Sequence, residues 1–209
     1  MLKIAREGYP FIIFFSAITV VSFFIWIWIF PVACLIMLFM LYFFRDPERV
    51  IPEKKDVFVS PADGKVIKID ETREDRYLKR DVRMISIFMS PFDVHVNRSP
   101  CDGKVKTVVY SPGRFLSAFK HEASLQNENI TMVLKTEYGD VIVRQVAGFL
   151  ARRAVCRVKE GDRLRRGERF GIIKFSSRVD LFLPLKAVIK VSLGEKVKAG
   201  ETIIAEMEG

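Results

Sequence analysis

Histidine and cysteine are scarce in this chain, and their scarcity removes two classes of chemistry. Its 209 residues include 2 histidines, His95 and His121, and neither has a partner at the His-x-His spacing typical of the zinc site of hybrid-motif metallopeptidases. The 3 cysteines, Cys34, Cys101 and Cys156, are widely spaced and form no paired motif. A disulfide framework or a zinc site is therefore not expected, and a reducing cytoplasm is the natural compartment. Charge is absent from Gly8 to Phe44. The net charge is +9, of which residues 45 to 209 hold +8. That excess suits an anionic membrane surface or a nucleic acid, but no aromatic-basic motif of the nucleic-acid kind is present, and the uncharged segment favours the membrane.

Between Tyr9 and Phe44 only Ser16, Thr19 and Ser22 are clearly polar. A straight helix of that length would run about 54 Å, against a hydrocarbon core of about 30 Å. The segment is expected to fold back, and Pro31 is the expected break because it lacks a helix donor and restricts Phe30 before it. Residues 1–44 thus read as a membrane-inserted helical hairpin around Pro31. Lys3 and Arg6 before it and Arg45 and Arg49 after it place both ends on the cytoplasmic side of the cell membrane. The run is too long for a cleaved signal peptide and ends in no small-residue cleavage site.

Residues 45–209 read as one β-rich domain. Short alternating runs such as VFVSPADGKVIKID, MISIFMSPFDVHVN, KVKTVVYS, ITMVLKT and DVIVRQVAGFL are separated by Gly, Asp and Pro. Gly113 to Asn129 is the expected irregular or helical excursion. Two echoes stand out: SPADGKV at Ser60 returns as SPCDGKV at Ser99, and VKEGDRLRRGE at Val158 returns as VSLGEKVKAGE at Val191. They predict a duplicated-hairpin, hybrid-motif-like architecture within an all-β dominated fold, and lipoyl or biotinyl carriers share such hairpins.

Three separated positions carry candidate chemistry. A serine hydroxyl needs a base, and the base an orienting group, before it attacks a carbonyl. Ser177 lies in FGIIKFSSRVDLFLP, where two adjacent small serines interrupt a strand; His95 lies in FDVHVNRSP; Asp63 lies in PADG. Each also has a purely structural reading: a small strand residue, a strand histidine and a turn aspartate, the last matched by Asp102 in the echoed turn. Spacing alone leaves both readings open.

The succession of the apolar hairpin, FFRDPER, SPADGKV, FMSPFDVHVNRSP, GRFLSAFKHEASLQNEN, QVAGFLARR and FGIIKFSSRVDLFLP resembles the short, membrane-bound phosphatidylserine decarboxylases, including the archaetidylserine decarboxylase-like subgroup. The resemblance implies self-cleavage between Ser176 and Ser177 into residues 1–176 (β chain) and 177–209 (α chain), which remain together as a heterodimer. It implies that Ser177 becomes a pyruvoyl cofactor, that no metal takes part, and that Asp63 and His95 serve cleavage, His95 also decarboxylation. Phospholipid and membrane are the implied partners, nucleic acid is not, and the implied reaction turns phosphatidylserine into phosphatidylethanolamine and carbon dioxide. The chain departs from the family where Ser176 replaces the usual glycine and where His121 replaces an acidic residue. Should Ser176 have ended cleavage, the alternative is an uncleaved, membrane-tethered lipid-binding or hammerhead-type interaction module. Basic residues at Arg45 to Arg49 and at Arg152 and Arg153 are candidates to attract phosphate.

Overall fold

The computed structural model describes residues 3–113, 127–148, 153–175 and 177–208. Ser176, His121, Arg152 and most of the expected excursion after Gly113 lie outside the described residues. The chain divides into two units, Met1–Glu48 and Arg49–Gly209.

In the first unit a short 3-10 turn, Arg6–Gly8, leads into α1 (Tyr9–Ile25), and α2 (Phe30–Phe43) follows. The break occupies residues 26–29, and Pro31 stands in the first turn of α2. That placement follows from proline's missing N–H, which costs nothing where helical donors have no partner. The base is closed by Ala5 N donating to the Phe44 carbonyl at 2.8 Å and Asp46 N to the Lys3 carbonyl at 2.7 Å. Residues Arg6–Ile25 form one helical stretch of 20 residues with mean hydropathy 2.0, long and apolar enough to cross a membrane. At 1.5 Å per residue the 14 residues of α2 reach only about 21 Å.

Fourteen strands make up the described part of the second unit: β1 (Val57–Val59), β2 (Gly64–Glu74), β3 (Arg80–Met89), β4 (Val96–Arg98), β5 (Gly103–Ser111), β6 (Asn129–Thr136) and β7 (Gly139–Ala147), then β8 (Arg153–Cys156), β9 (Arg163–Leu164), β10 (Arg169–Lys174), β11 (Ser177–Pro184), β12 (Ala187–Ile189), β13 (Lys196–Val197) and β14 (Ile203–Met207). The predicted alternating runs all appear among them, and the fold is β-dominated. Eight strands form one antiparallel sheet in the order β13-β2-β3-β11-β7-β6-β5-β9, and two three-stranded sheets, β1-β14-β12 and β4-β10-β8, complete the unit. Ile85, Ile87, Met132, Leu134, Val143, Val179 and Leu181 from one face of the large sheet pack with Phe58, Phe170, Ile173 and Ile204 in the main core. The opposite face holds a smaller cluster that includes Met84, Ile142 and Phe182.

β11 is central, and its eight residues are all buried. Sheet strands covered on both faces lose the polar alternation of half-exposed ones, which explains the apolar run that brackets Arg178 and Asp180. Gly64 begins β2 because a Cβ there would overlap the Phe88 carbonyl oxygen, so only glycine lets β2 approach β3 this closely.

The two sequence echoes make the same hydrogen bonds. Ser60 Oγ donates to the Ala62 carbonyl at 2.6 Å, and Ser99 Oγ to the Cys101 carbonyl at 2.7 Å. Gly200 N donates to the Ser60 carbonyl and Gly167 N to the Ser99 carbonyl, both at 2.8 Å. The turns also clasp each other: Val59 N meets the Pro100 carbonyl at 2.8 Å, and Arg98 N meets the Pro61 carbonyl at 3.0 Å.

Candidate functional site

The chain leaves β10, which pairs with β4 and β8, and enters β11, which pairs with β3 and β7, across residues 175 and 176 alone. Changing sheets in so short a step forces an abrupt corner. Phe175 turns it with φ of 61°, a left-handed conformation that a bulky L-residue rarely adopts and that costs on the order of 1–3 kcal/mol. Ser177, the first residue past the corner, is fully buried. Its backbone lies opposite Met89 on one side and Ala147 on the other. Its Oγ donates to the Met89 thioether, Sδ, at 3.5 Å, a weak bond that holds the hydroxyl without spending its nucleophilic lone pairs.

His95 is also fully buried, just ahead of β4. Its carbonyl accepts from Ile173 N at 3.3 Å, which ties it to β10 four residues before Ser177. Its Nδ1 lies 2.9 Å from the Asp93 carbonyl oxygen. A carbonyl can only accept, so Nδ1 carries the hydrogen and the neutral ring keeps its basic lone pair on Nε2. Asp93 is itself fixed, its Oδ2 accepting from Ser90 N at 2.8 Å and Ser90 Oγ at 2.7 Å.

Asp63 ends the SPADG turn. Its Oδ1 accepts from Ala199 N at 2.8 Å and its Oδ2 from Arg49 Nη2 at 2.7 Å. Arg49, whose side chain is 7% exposed, also reaches Glu201 at 3.5 Å. Burial raises the Asp63 carboxyl above the ordinary aspartate value and outweighs the opposing pull of Ala199 N–H and the guanidinium; Asp93 nearby adds to the rise. Ion pairing and desolvation thus act in opposite directions on one carboxyl, and desolvation prevails. Arg49, a sequence candidate for phosphate attraction, is committed to these carboxylates.

The three predicted residues come to the same end of β3. Lys65 lies opposite Phe88, which faces Arg178 on β11, so Asp63 and Ser177 flank β3 near Met89. The links between them run through residues that the sequence reading passed over. Asn97 Nδ2 donates to Met89 Sδ at 3.7 Å and to the Pro61 carbonyl at 3.5 Å, and Asn97 Oδ1 accepts from Gln145 Nε2 at 2.8 Å. Asn97 and Gln145 are polar residues inside the otherwise apolar runs VHVN and VIVRQVA, and that is the signal that could have found them. Met89 leaves no such signal, since a buried methionine reads as core. Burial pushes the Cys101 thiol up to about 12, which leaves it protonated and inert at neutral pH.

Comparison with known proteins adds an independent observation. Residues 36–205 match the family model described as phosphatidylserine decarboxylase. The chain is 50% identical over 204 residues to a "Phosphatidylserine decarboxylase proenzyme" of Syntrophus aciditrophicus, covering 95% of each chain. It is 46% identical over 206 residues to one of Nitrosomonas europaea, covering 97% of this chain and 94% of that one. A third, of Ralstonia nicotianae, is 44% identical over 213 residues, with 98% and 96% covered.

Proposed function

The chain belongs to the phosphatidylserine decarboxylase family, and from that premise we propose that it severs itself between Ser176 and Ser177, makes residue 177 a pyruvoyl group, and with it converts phosphatidylserine to phosphatidylethanolamine and carbon dioxide. The observation that carries this reading is the corner before β11. A strained Phe175 and a buried Ser177 hydroxyl that, among the described residues, donates to the Met89 thioether adjoin the peptide to be broken.

Cleavage needs only the chain's own groups. Ser177 Oγ bonds to the carbonyl carbon of residue 176, the peptide C–N bond breaks, and the freed nitrogen takes the proton, leaving an ester. A base then removes the Cα proton of residue 177, the Cβ–Oγ bond breaks, and residue 176 departs as a carboxylate. Water hydrolyses the imine tautomer of what remains and ammonia leaves. His95 offers a lone pair at Nε2 for these proton transfers, and Asp63 offers a carboxylate oriented by Ala199 N and Arg49.

The surroundings of residue 177 suit a small planar keto group, since losing the hydroxyl forfeits one weak O–H···S bond in a dry setting beside Met89 and Asn97. When present, the pyruvoyl group supplies the electron sink for the pair released as carbon dioxide leaves. His95 then manages the proton that replaces the carboxylate. The break does not release the second fragment. β11 stays paired between β3 and β7, β13 on β2 and β14 on β1, so residues 1–176 and 177–209 remain one body. The apolar α1 and α2 anchor this body in the cell membrane with the catalytic domain on the cytoplasmic face, within reach of lipid headgroups.

Intact mass of the purified protein tests the reading. The wild type should resolve into residues 1–176 and a 177–209 fragment with a keto-blocked end, while Ser177→Ala stays whole. Wild-type protein in bilayers that remains unbroken and releases no carbon dioxide from phosphatidylserine vesicles would refute it.

A further inference from the structure

Two amide side chains form a buried pair at the corner before β11, and the cleavage chemistry makes no use of them. Asn97 lies on β4 and is fully buried; Gln145 lies on β7 and is 1% exposed. Gln145 Nε2 donates to Asn97 Oδ1 at 2.8 Å and reaches the Val155 carbonyl on β8 at 3.4 Å, so the pair bridges the large sheet and the β4-β10-β8 sheet where the chain crosses between them. Both amides have one workable orientation. Gln145 Nε2 faces two carbonyl oxygens, and Asn97 Nδ2 faces the Pro61 carbonyl at 3.5 Å and Met89 Sδ at 3.7 Å, so turning either amide over would oppose two acceptors. β10 makes room for them. A Cβ at Gly171, the residue opposite Asn97, would stand 2.8 Å from Gln145 Nε2 and 2.3 Å from the Val155 carbonyl oxygen.

Stability does not account for this arrangement. Gln145 Oε1 is buried without a hydrogen-bond partner among the described residues, a costly state that a methionine of similar size would avoid. The Pro61 carbonyl gains little from Asn97, since it already accepts from Arg98 N at 3.0 Å. What the pair does hold is a sulfur. Met89 Sδ receives both Ser177 Oγ at 3.5 Å and Asn97 Nδ2 at 3.7 Å. A methionine side chain has three rotatable bonds, so its thioether guides a hydroxyl only when something holds the sulfur still.

We infer that Asn97 and Gln145 are positioning residues for self-cleavage: acting through the Met89 sulfur, they hold Ser177 Oγ in place for its attack on the carbonyl carbon of residue 176. No proton passes through them. The role rests on the proposed cleavage and ends with it, because the hydroxyl is lost once residue 177 is converted.

Full-length chain made by cell-free translation into phospholipid vesicles tests this, with the fraction of intact chain followed against time by gel. Asn97→Leu/Gln145→Met removes both amides together and leaves neither unpaired; Met89→Leu removes the sulfur and keeps the bulk. Each should slow cleavage about ten- to hundredfold, and the triple variant should be little slower than either, because all three residues act at one point. A merely structural role predicts slowing that follows lost stability and multiplies in the triple variant. In the Ser177→Ala background, where every chain stays whole, the amide double variant should instead show a urea midpoint at or above that of Ser177→Ala alone. Molecules that do mature, counted by the mass of their hydroxylamine adducts, should decarboxylate phosphatidylserine with kcat within about twofold of the wild type. Wild-type cleavage rates in both variants overturn the role, and so does slowing matched by a fall in midpoint or in kcat. A wild-type chain that stays whole is a different failure: it overturns the cleavage reading itself, and this role with it.

Discussion

The SPADGKV and SPCDGKV segments differ by one residue in seven, yet one adjoins the corner where we propose that the chain breaks and the other does not. In each the aspartate accepts a backbone N–H from the facing hairpin: Asp63 from Ala199 at 2.8 Å, Asp102 from Arg166 at 2.6 Å. That shared bond is the structural reason for an aspartate and would exist without any catalysis. The difference lies in the second oxygen and its surroundings. Asp63 Oδ2 is gripped by the buried Arg49 in a half-buried site, whereas Asp102 is exposed and the guanidinium of Arg166 goes to the Pro52 and Lys54 carbonyls at 2.6 and 2.7 Å. Under the proposed function, what makes a turn residue a chemical one is what is packed against its second oxygen, not the turn itself.

Exchanging the carboxyl for an amide at each turn puts that conclusion at greatest risk. Asp63→Asn should slow self-cleavage by about 100-fold or more, in the range of a lost acid–base group, while Asp102→Asn should leave it within about twofold. The fraction of intact chain against time, read by mass or gel, checks both. Equal slowing in the two variants would mean that both aspartates serve only their turns.

The glycine after each aspartate offers a smaller contrast, read in stability. A Cβ at Gly64 would overlap the Phe88 carbonyl oxygen, whereas at Gly103 it would stand 3.0 Å from the Lys135 carbonyl oxygen and 3.4 Å from Thr136 Cγ2. Gly64→Ala should therefore cost about 2–3 kcal/mol and slow cleavage as well, since it pushes β2 from β3 beside Ser177; Gly103→Ala should cost under about 1 kcal/mol and spare cleavage. Urea unfolding with a parallel cleavage assay separates the two. A Gly64→Ala chain of wild-type stability would show that the approach of β2 to β3 is not tight.

Much of this contrast was legible in the sequence, because turns and strand periodicity are local. The runs that became β2, β3, β5, β6 and β7 alternate visibly, and the two turns repeat their residues. Pro31 marked the two-armed segment, although the break falls just before it, since proline suits the start of a helix better than its interruption. What the sequence did not carry was which distant side chains meet. Arg49 reads as a juxtamembrane charge until Asp63 is seen against it, and Met89 reads as core until Ser177 and Asn97 converge on its sulfur.

Arg49→Met gives the smallest effect and the sharpest sense of sign. Burial already raises the Asp63 carboxyl, and the Arg49 guanidinium is one of the groups holding it down. If the carboxylate form serves cleavage, the rate falls as pH drops through the Asp63 pKa, and loss of the guanidinium moves that fall to higher pH. At pH 8 the variant should cleave within about tenfold of the wild type, and the gap should widen on acidification as more of the carboxyl is protonated. Stability runs the opposite way with pH. A folded pKa above the unfolded value means that the folded chain holds this proton more tightly, so the group's contribution declines as pH rises from below the ordinary aspartate range through the folded pKa, and Arg49→Met deepens the decline. Arg49→Lys keeps a charge and should recover part of the pH profile, which a merely structural role for the guanidinium would not predict. Parallel pH profiles for wild type and Arg49→Met would detach Arg49 from the carboxyl and remove the feature that distinguishes the first turn from the second.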